Sequence, residues 1–241
     1  MTSETSPTNL FVLTGAGVSA ESGIATFRDE NGLWAKHRIE DVATPEAFAR
    51  DPARVQSFYD ARRAALGTVE PNAAHRALAR LQREHAGDVT LVTQNIDDLH
   101  ERAGAEVVHM HGELAKARCV ECDRVTAWTR EIAPSDRCER CAAGLRPHVV
   151  WFGEMPLRMD EIGEALARSD LFVAIGTSGE VYPAAGFVAE ARANGARTLE
   201  INLEPSGAAA FERTIAGPAT VEVPCWVDEV LGAARGAPDT V

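Results

Sequence analysis

Five short, mainly apolar runs constrain the fold of this chain more than any other feature of its sequence. They cover residues 10–14, 89–93, 107–110, 171–175 and 198–202, and each ends at, or is followed by, a polar residue or glycine. Such runs are typical of strands that are buried on both faces of a parallel sheet. We also expect an edge strand near residues 221–223.

Helical patterns separate these runs. Residues 72–85 carry apolar side chains at helical spacing, Asp160 is expected to cap a second helix, and Pro183 is expected to open a third that ends near Gly195. The alternation of strands and helices predicts a doubly wound α/β fold.

Two stretches interrupt the alternation. Residues 31–70 have helical patterns only, and residues 112–147 show little apolar periodicity. We therefore expect a large domain and a smaller lobe. The large domain would consist of residues 1–30, 71–112 and 148–241, and the lobe of residues 31–70 and 113–147.

The charge of the chain restricts its partners. Its 241 residues include 24 Lys and Arg against 36 Asp and Glu, a formal net charge of -12. Direct nucleic-acid binding is not expected, because phosphate recognition depends on a basic footprint. No apolar run has the length of a membrane span, and no signal peptide is recognised, so we expect a cytoplasmic protein without a membrane partner.

Four cysteines form two pairs. Cys119 and Cys122, then Cys138 and Cys141, have two residues inside each pair and 15 between the pairs. This spacing matches a zinc ribbon with four cysteine ligands, in which the thiolates leave no open position, so one structural zinc ion is expected. Two disulfides, or a nucleic-acid-binding ribbon, are the alternatives. Cys225 is expected to be a small buried residue.

A glycine-rich turn follows the first run. Gly15 and Gly17, with Ala20 in the third position, fit the G-x-G-x-x-G/A pattern, which lets backbone amides approach a pyrophosphate. A tight turn without a ligand would use the same residues. The acid expected about 20 residues later is absent, whereas Glu204 follows a much later run. The pattern favours a dinucleotide site over a standard dehydrogenase.

Polar residues follow several predicted strands, at the edge where open α/β sheets bind ligands. His111 follows the third run and can act as a base near pH 7, whereas His109 is expected to support its strand. The other polar residues at strand ends are Gln94, Asn95, Asp97, Thr177, Ser178 and Asn202.

In order and composition, these motifs resemble the sirtuin family, in particular bacterial class III sirtuins, which are NAD-dependent protein-lysine deacylases. The resemblance extends from about residue 10 to residue 230, and Ala25 departs from the Pro or Arg of many relatives. The matching segments are GAGVS at 15–19, GIATFR at 23–28, TQNID at 93–97, HG at 111–112, the four cysteines, VWFGE at 150–154, GTS at 176–178 and NLE at 202–204.

The resemblance implies a Rossmann-type large domain, a lobe of helices and zinc ribbon, and a cleft where NAD meets acyl-lysine. His111 would be the general base, and NAD would be consumed to give nicotinamide and 2′-O-acyl-ADP-ribose. Protein mono-ADP-ribosylation at the same NAD site is the alternative activity. The implied NAD contacts are Gly15, Ala16, Gly17, Ser19, Ala20, Phe27, Arg28, Trp34, Gln94, Asn95, Ile96, Asp97, Gly176, Thr177, Ser178, Asn202, Leu203, Glu204 and Ala219.

The substrate side is implied in the same way. Acylated lysine-containing proteins would be the partners, and their backbone would pair with the VWFGE segment as an added strand. The residues of that segment are Val150, Trp151, Phe152, Gly153 and Glu154.

A helix expected over residues 52–66 carries residues that indicate which acyl group is recognised. Its apolar stripe runs through Val55, Tyr59 and Leu66, and at about 100° per residue Arg62 falls near the centre of the stripe and Arg63 near its margin. A buried arginine needs an anion. Tyr59 and Arg62 are neighbours on a helix and could clamp a carboxylate.

The Tyr-x-x-Arg pair at this place in the chain resembles the pair found in sirtuins that remove succinyl, malonyl or glutaryl groups. Ala43 matches the small residue that widens their pocket. We therefore expect activity on both acetyl-lysine and succinyl-lysine. A salt bridge from Arg62 to an acid such as Asp41 is the alternative.

Overall fold

Two separate sheets organise the protein in the computed structural model, which describes residues 8–24, 38–177, 179, 181–207 and 209–235. The described strands are β1 (Asn9–Thr14), β2 (Asp88–Thr93), β3 (Val108–His109), β4 (Gly112–Cys119), β5 (Val125–Ala127), β6 (Leu145–Val149), β7 (Leu171–Ile175), β8 (Arg197–Asn202) and β9 (Arg213–Ala216).

The larger sheet has six parallel strands in the order β3-β2-β1-β7-β8-β9. Counted within this sheet alone, the order is 3-2-1-4-5-6, which is the Rossmann arrangement. The strand order reverses between β1 and β7, where Thr14 pairs with Ile175. Ligands of such sheets bind beyond the carboxyl ends of the strands at this point.

Helices connect the strands, and two of them begin at a capping side chain followed by a proline. The Thr44 side chain accepts a hydrogen bond from the Ala47 N–H, and the Asp51 side chain accepts one from Arg54 N–H. The described α-helices are α1 (Gly17–Ala20), α2 (Ile39–Val42), α3 (Pro45–Arg50), α4 (Pro52–Leu66), α5 (Ala73–Glu84), α6 (Leu99–Arg102), α7 (Met159–Ala167), α8 (Phe187–Ala193) and α9 (Ala219–Arg235). A 3-10 turn, Ala184–Gly186, precedes α8.

Both faces of the large sheet are covered. Leu10 and Val12 of β1 pack into a core with α5 and α9, whereas Phe11 and Leu13 pack into a second core with α7 and α8. Alternate residues of one strand therefore enter different cores, which confirms the doubly wound α/β fold. Among the described residues, no helix combines the length and apolar character needed to cross a bilayer.

The prediction of an edge strand at residues 221–223 is wrong. These residues lie in α9, and the edge strand is β9, a mostly exposed segment with little apolar signal. Val221 and Val223 alternate as a strand would, but the buried residues continue at helical spacing through Val227. Burial of one helix face against the sheet outweighs the strand preference of β-branched residues.

Two smaller expectations on helices also fail. Asp160 does not cap α7, because the cap position is Arg158 and Asp160 lies in the first turn, where its charge still favours the helix dipole. Cys225 is exposed instead of buried, because α9 turns Val223 and Trp226 toward the core and leaves Cys225 on its outer side.

The smaller sheet is antiparallel, with β4 between β5 and β6. It explains residues 112–147, which lacked helical periodicity. Leu114 of β4 and Val149 of β6 pack against Val55 and Phe58 of α4, so the helical segment and the small sheet share one core. The domain boundaries expected from the sequence stay a prediction.

The four paired cysteines meet at one end of the small sheet. Their sulfur atoms all lie within 4.8 Å of one another, with Cys119 Sγ 3.4 Å from Cys141 Sγ and Cys122 Sγ 3.6 Å from Cys138 Sγ. Disulfide sulfurs are only about 2.05 Å apart, whereas a tetrahedral zinc site with bonds of about 2.3 Å separates its sulfurs by roughly 3.8 Å. The cluster therefore fits one structural zinc ion, and the disulfide alternative is wrong.

Loss of zinc is expected to unfold the ribbon before the large sheet. In small peptides, zinc binding is worth roughly 10–16 kcal/mol, and the core beside the cluster is small. Cys122→Ser should therefore lower the zinc content and speed hydrogen exchange in β4, β5 and β6, while β1 and β7 stay protected. Cys225→Ser, which changes an exposed cysteine outside the cluster, is the control. Unchanged exchange in a zinc-free ribbon would contradict this role.

Candidate active site

The glycine turn after β1 lies directly against the end of β7. Gly15 N–H donates to Ile175 O at 3.0 Å and Gly17 N–H donates to Gly176 O at 2.8 Å. A Cβ on Gly17 would lie 2.7 Å from Gly176 Cα, and one on Gly176, whose φ is +58°, would lie 2.5 Å from Val18 N. Only glycine fits, and the two turns meet at the reversal of strand order, where sheets of this type have their ligand-binding cleft.

A chain of hydrogen bonds extends from this cleft along the sheet edge. Gln94 Nε2 donates to Thr177 Oγ1 at 2.9 Å, and Asn202 Nδ2 donates to Thr177 O at 3.0 Å. The polar ends of β2, β7 and β8 are thus held together, as expected. Leu203 and Glu204 follow β8 and are exposed, so their side chains are open to a ligand.

A buried polar cluster lies behind the glycine turn. Asn95 Nδ2 donates to Gly15 O at 3.1 Å and to Ser19 Oγ at 3.2 Å. Asp97 is also buried and accepts a hydrogen bond from Leu99 N–H at 3.2 Å. Burial raises the pKa of Asp97, and the hydrogen bonds from Leu99 and Ser19 oppose this shift. These hydrogen bonds hold the side chains of Asn95 and Asp97 in fixed orientations behind the glycine turn.

Other predicted residues occupy less polar positions on the same edge. Ala16 precedes α1 and Ala20 ends it, whereas Ile96 O accepts Leu114 N–H at 2.8 Å. Ala219 begins α9 and is buried. The predicted contacts Phe27, Arg28, Trp34 and Ser178, and the variable position Ala25, lie outside the described residues.

Two buried histidines support the cluster. His75 Nε2 is 3.3 Å from Ser19 Oγ, and His100 Nε2 is 3.0 Å from Thr14 Oγ1. The two imidazole rings pack edge to face, with their centroids 4.8 Å apart. Burial lowers the pKa of His75 to about 4 and that of His100 well below its usual value, so both are neutral. Sequence analysis missed His100, whose only signal is its place beside Leu99, just after Asp97.

His111 has the geometry of a base. Its Nδ1 lies 3.0 Å from Gln94 O, and because a carbonyl can only accept, Nδ1 carries the proton and Nε2 keeps its lone pair. Burial lowers the pKa of His111, and the hydrogen bond to Gln94 only partly opposes this. The residue is therefore neutral at pH 7.

His109 has a different environment. Its Nδ1 lies 3.0 Å from Asn95 O and its Nε2 lies 2.6 Å from Glu101 Oε1. Burial alone would lower the pKa of His109, but the hydrogen bond and charge of Glu101 outweigh it and raise the pKa. Both ring nitrogens are occupied, which confirms the expected supporting role.

The segment at residues 150–154 lies between His111 and the helical segment. Val150 N–H donates to His111 O at 2.9 Å, and Phe152 N–H donates to Ala43 O at 3.0 Å. The Phe152 side chain is 46% exposed, and Gly153 is exposed as well. The segment is not a strand here, although β6 leads directly into it.

The carboxylate of Glu154 serves this segment itself. It accepts Trp151 N–H at 2.8 Å and two hydrogen bonds from Arg146, at 2.6 and 2.9 Å. Arg118 lies 3.4 Å away on the same carboxylate. Glu154 therefore fixes the shape of the loop through its side chain.

Tyr59 and Arg62 lie together, as the helical spacing predicts. Tyr59 is buried, and its hydroxyl accepts a hydrogen bond from Trp151 Nε1 at 3.0 Å. Burial lowers the pKa of Arg62, and the interactions with Tyr59 and Asp97 oppose this. Arg62 therefore interacts both with Tyr59 of α4 and with Asp97 of the buried cluster. The alternative partner, Asp41, pairs instead with two other arginines of the lobe, Arg50 and Arg54.

Arg63 is more deeply buried than the helical stripe implies. Only 4% of its surface is exposed, its Nε donates to Leu114 O at 2.8 Å, and it pairs with Asp60. The stripe assumed one inward face, but β4 covers a second side of α4. A main-chain carbonyl of a distant strand therefore accepts one hydrogen of the guanidinium, which sequence spacing could not indicate.

Comparisons with known proteins agree with this geometry. The Sir2 family model matches residues 15–183. An NAD-dependent protein deacylase from Vibrio parahaemolyticus is 61% identical over 229 residues, covering 92% of this chain and 95% of the relative. One from Caulobacter vibrioides is 58% identical, covering 92% and 96%.

Solved structures show the same likeness. A Sir2 homologue in complex with NAD is 39% identical, with a TM-score of 0.87 over 94% of this chain and 91% of that one. A Sir2 homologue mutant in complex with 2′-O-acetyl ADP ribose is 38% identical, with a TM-score of 0.88 over 97% and 96%. Fold, site geometry and sequence agree, and the chain belongs to the Sir2 family.

Proposed function

We propose that this chain is an NAD-dependent protein-lysine deacylase that removes acetyl, succinyl and malonyl groups. The observation that carries the proposal is His111, a neutral histidine whose Nε2 has no partner among the described residues and which lies between Gln94 of the sheet edge and the segment at residues 150–154. The similarity of the chain to NAD-dependent protein deacylases of about 60% identity supports the same activity.

NAD would lie in the cleft at the reversal of strand order. The turn at Gly15 and Gly17 leaves no room for a side chain beside Gly176, so backbone amides can approach a pyrophosphate. Gln94, Asn95 and Asp97 would place the nicotinamide and its ribose. Thr177, Asn202, Glu204 and Ala219 would meet the adenosine half, and the proposal includes Ala16, Ser19, Ala20, Phe27, Arg28, Trp34, Ile96, Gly176, Ser178 and Leu203.

His111 would act on a ribose hydroxyl of NAD. Its Nε2 can accept the hydroxyl proton, and the Nδ1–H bond to Gln94 O keeps the ring oriented while the positive charge develops. Before this step, the acyl oxygen would displace nicotinamide from C1′ of the ribose, so the acyl carbon would be linked to the ribose through that oxygen. The deprotonated 2′-oxygen would then attack the acyl carbon, the carbon–nitrogen bond to lysine would break as the amine takes up a proton, and one water would be consumed. The products would be lysine, nicotinamide and 2′-O-acyl-ADP-ribose.

The protein substrate would enter along the segment at residues 150–154. Phe152 and Gly153 are exposed residues of this segment, and an extended peptide would add its strand there, although the Phe152 N–H is already bonded to Ala43 O. The net charge of -12 favours lysine-bearing partners over nucleic acid. Free cysteines arranged for zinc suit a reducing compartment, so the proposal places the reaction in the cytoplasm.

The acyl preference would come from Tyr59 and Arg62. Both are polar groups on the face of α4 that lies toward Trp151 and Asp97. A phenol and a guanidinium can together bind the carboxylate of a succinyl or malonyl group, and the small Ala43 would leave space for it. An acetyl group lacks the carboxylate and would use the same pocket without this clamp.

The activity itself is tested with acetyl-, malonyl- and succinyl-lysine peptides. NAD-dependent release of nicotinamide, with the matching mass loss on the peptide, is the expected result. Peptides that remain acylated while protein becomes labelled by the ADP-ribose of NAD would overturn the proposal in favour of mono-ADP-ribosylation.

His111→Ala is expected to reduce deacylation by about 100- to 10,000-fold, which is the usual contribution of a general base. Exchange of labelled nicotinamide into NAD should persist, because His111 acts after nicotinamide has left. His85→Ala, at the opposite end of the sheet, is the control. Parallel loss of exchange and deacylation would show that His111 is needed for an earlier step.

The pH profile of kcat/KM should reflect the burial of His111. Because its pKa is lowered from 6.5, the base stays neutral as the pH falls through 6.5 and becomes protonated only below that value. Activity on acetyl-lysine should therefore decline on the acid side only below pH 6.5. An acid limb above pH 6.5 that disappears in His111→Gln would contradict the assignment.

Arg62→Met should reduce desuccinylation by roughly 10- to 100-fold, the loss expected for one charge-assisted hydrogen bond. Deacetylation should fall much less, because the acetyl group has no carboxylate. Arg54→Met is the matched control, since it removes an exposed arginine of the same helix. Equal losses with both peptides would reject the clamp.

A further inference from the structure

Trp151 and Tyr59 share a buried hydrogen bond between the segment at residues 150–154 and α4. Each residue is only 2% exposed, and the indole Nε1 lies 3.0 Å from the tyrosine hydroxyl. An indole N–H can donate but cannot accept. The hydroxyl of Tyr59 is therefore the acceptor, and its own hydrogen must point away from the indole.

The neighbouring polar group is also a donor. A guanidinium has no acceptor atom, and Arg62 interacts with Tyr59 from the next turn of α4. Burial raises the pKa of Tyr59 to about 12, with Arg62 the main opposing influence, so the phenol keeps its hydrogen at neutral pH. The O–H of Tyr59, directed away from the indole, and the N–H groups of Arg62 both present hydrogens, which suits a group that accepts them, such as a carboxylate.

The indole of Trp151, whose N–H fixes the orientation of the Tyr59 hydroxyl, is itself held rigidly. The Arg146 guanidinium lies over the ring, 3.4 Å from its centroid, and Phe48 packs 5.2 Å from it. Glu154 accepts the backbone N–H of Trp151 and two hydrogen bonds from Arg146. Ring and backbone are thus tied to one ion pair, so the direction of the indole N–H is set before any substrate binds.

We propose that Trp151 is a positioning residue for acyl selectivity, which acts through Tyr59. By occupying the acceptor side of the hydroxyl, it directs the Tyr59 O–H toward the acyl pocket and makes the pocket selective for acyl groups that end in a carboxylate. The inference rests on the proposed deacylase function and assigns its selectivity to a residue outside the Tyr59–Arg62 pair.

The test is Trp151→Phe, which removes the indole N–H and keeps an aromatic ring. The hydroxyl of Tyr59 can then turn away, so kcat/KM for succinyl-lysine should fall about fivefold relative to acetyl-lysine, the usual effect of one neutral hydrogen bond. The relative loss should lie in KM, because the clamp is remote from the reacting carbon and binds ground and transition states alike.

Phe48→Leu is the matched control. It loosens the packing of the same indole but leaves its N–H in place, so it should change activity on the two peptides by the same factor. A selective loss as large as that of Trp151→Phe would show that ring packing sets the preference, and would overturn the inference.

A double-mutant cycle identifies the route of the effect. Tyr59→Phe should itself lower the succinyl-to-acetyl ratio, and adding Trp151→Phe should lower it no further, because the hydroxyl on which Trp151 acts is gone. A further selective loss in the double variant would overturn the inference.

The wild-type enzyme separates the two proposals. If it removes succinyl groups with NAD and Trp151→Phe leaves the succinyl-to-acetyl ratio unchanged, only the role of Trp151 is wrong. If it removes no acyl group at all, the proposed function fails first.

Discussion

The contact between two glycine turns is the constraint on which the rest of the site depends. The turns that follow β1 and β7 meet backbone to backbone, and Gly17 and Gly176 lie too close for any side chain. This contact occurs where the strand order of the sheet reverses. It therefore places main-chain groups, together with the polar ends of the neighbouring strands, at the edge where sheets of this type bind ligands.

The polar residues around the ligand-binding edge differ in how many of their hydrogen-bonding atoms are already paired. The cluster of Ser19, His75, Asn95 and His100 is buried and largely satisfied within itself, so it supports the site without titrating near neutral pH. Among the described residues, His111 has a hydrogen-bond partner at Nδ1 and none at Nε2. Of the histidines on this edge, it therefore combines a fixed ring with an available lone pair, which is the requirement for a general base.

In the proposed function, the lobe would contribute the specificity for the acyl group. Zinc and the small sheet provide a frame for α4, and the ion pair of Arg146 with Glu154 fixes the segment that follows β6. Trp151 of that segment donates to Tyr59 of α4, so a buried hydrogen bond joins the two elements. In the proposed function, charge and hydrogen-bond direction at Tyr59 and Arg62 would decide the preferred acyl group, and the reaction would take place at the sheet edge.

The sequence by itself determined the parallel sheet, the zinc cysteines and the residue types at the strand ends, because these depend on local periodicity, spacing and short motifs. Only the tertiary structure decided that residues 221–223 are helical, that β4 covers Arg63, and that Trp151 donates to Tyr59. Each of these depends on contact between segments far apart in the chain. Such contacts bury one face of a helix or satisfy one polar atom, and no local pattern records them.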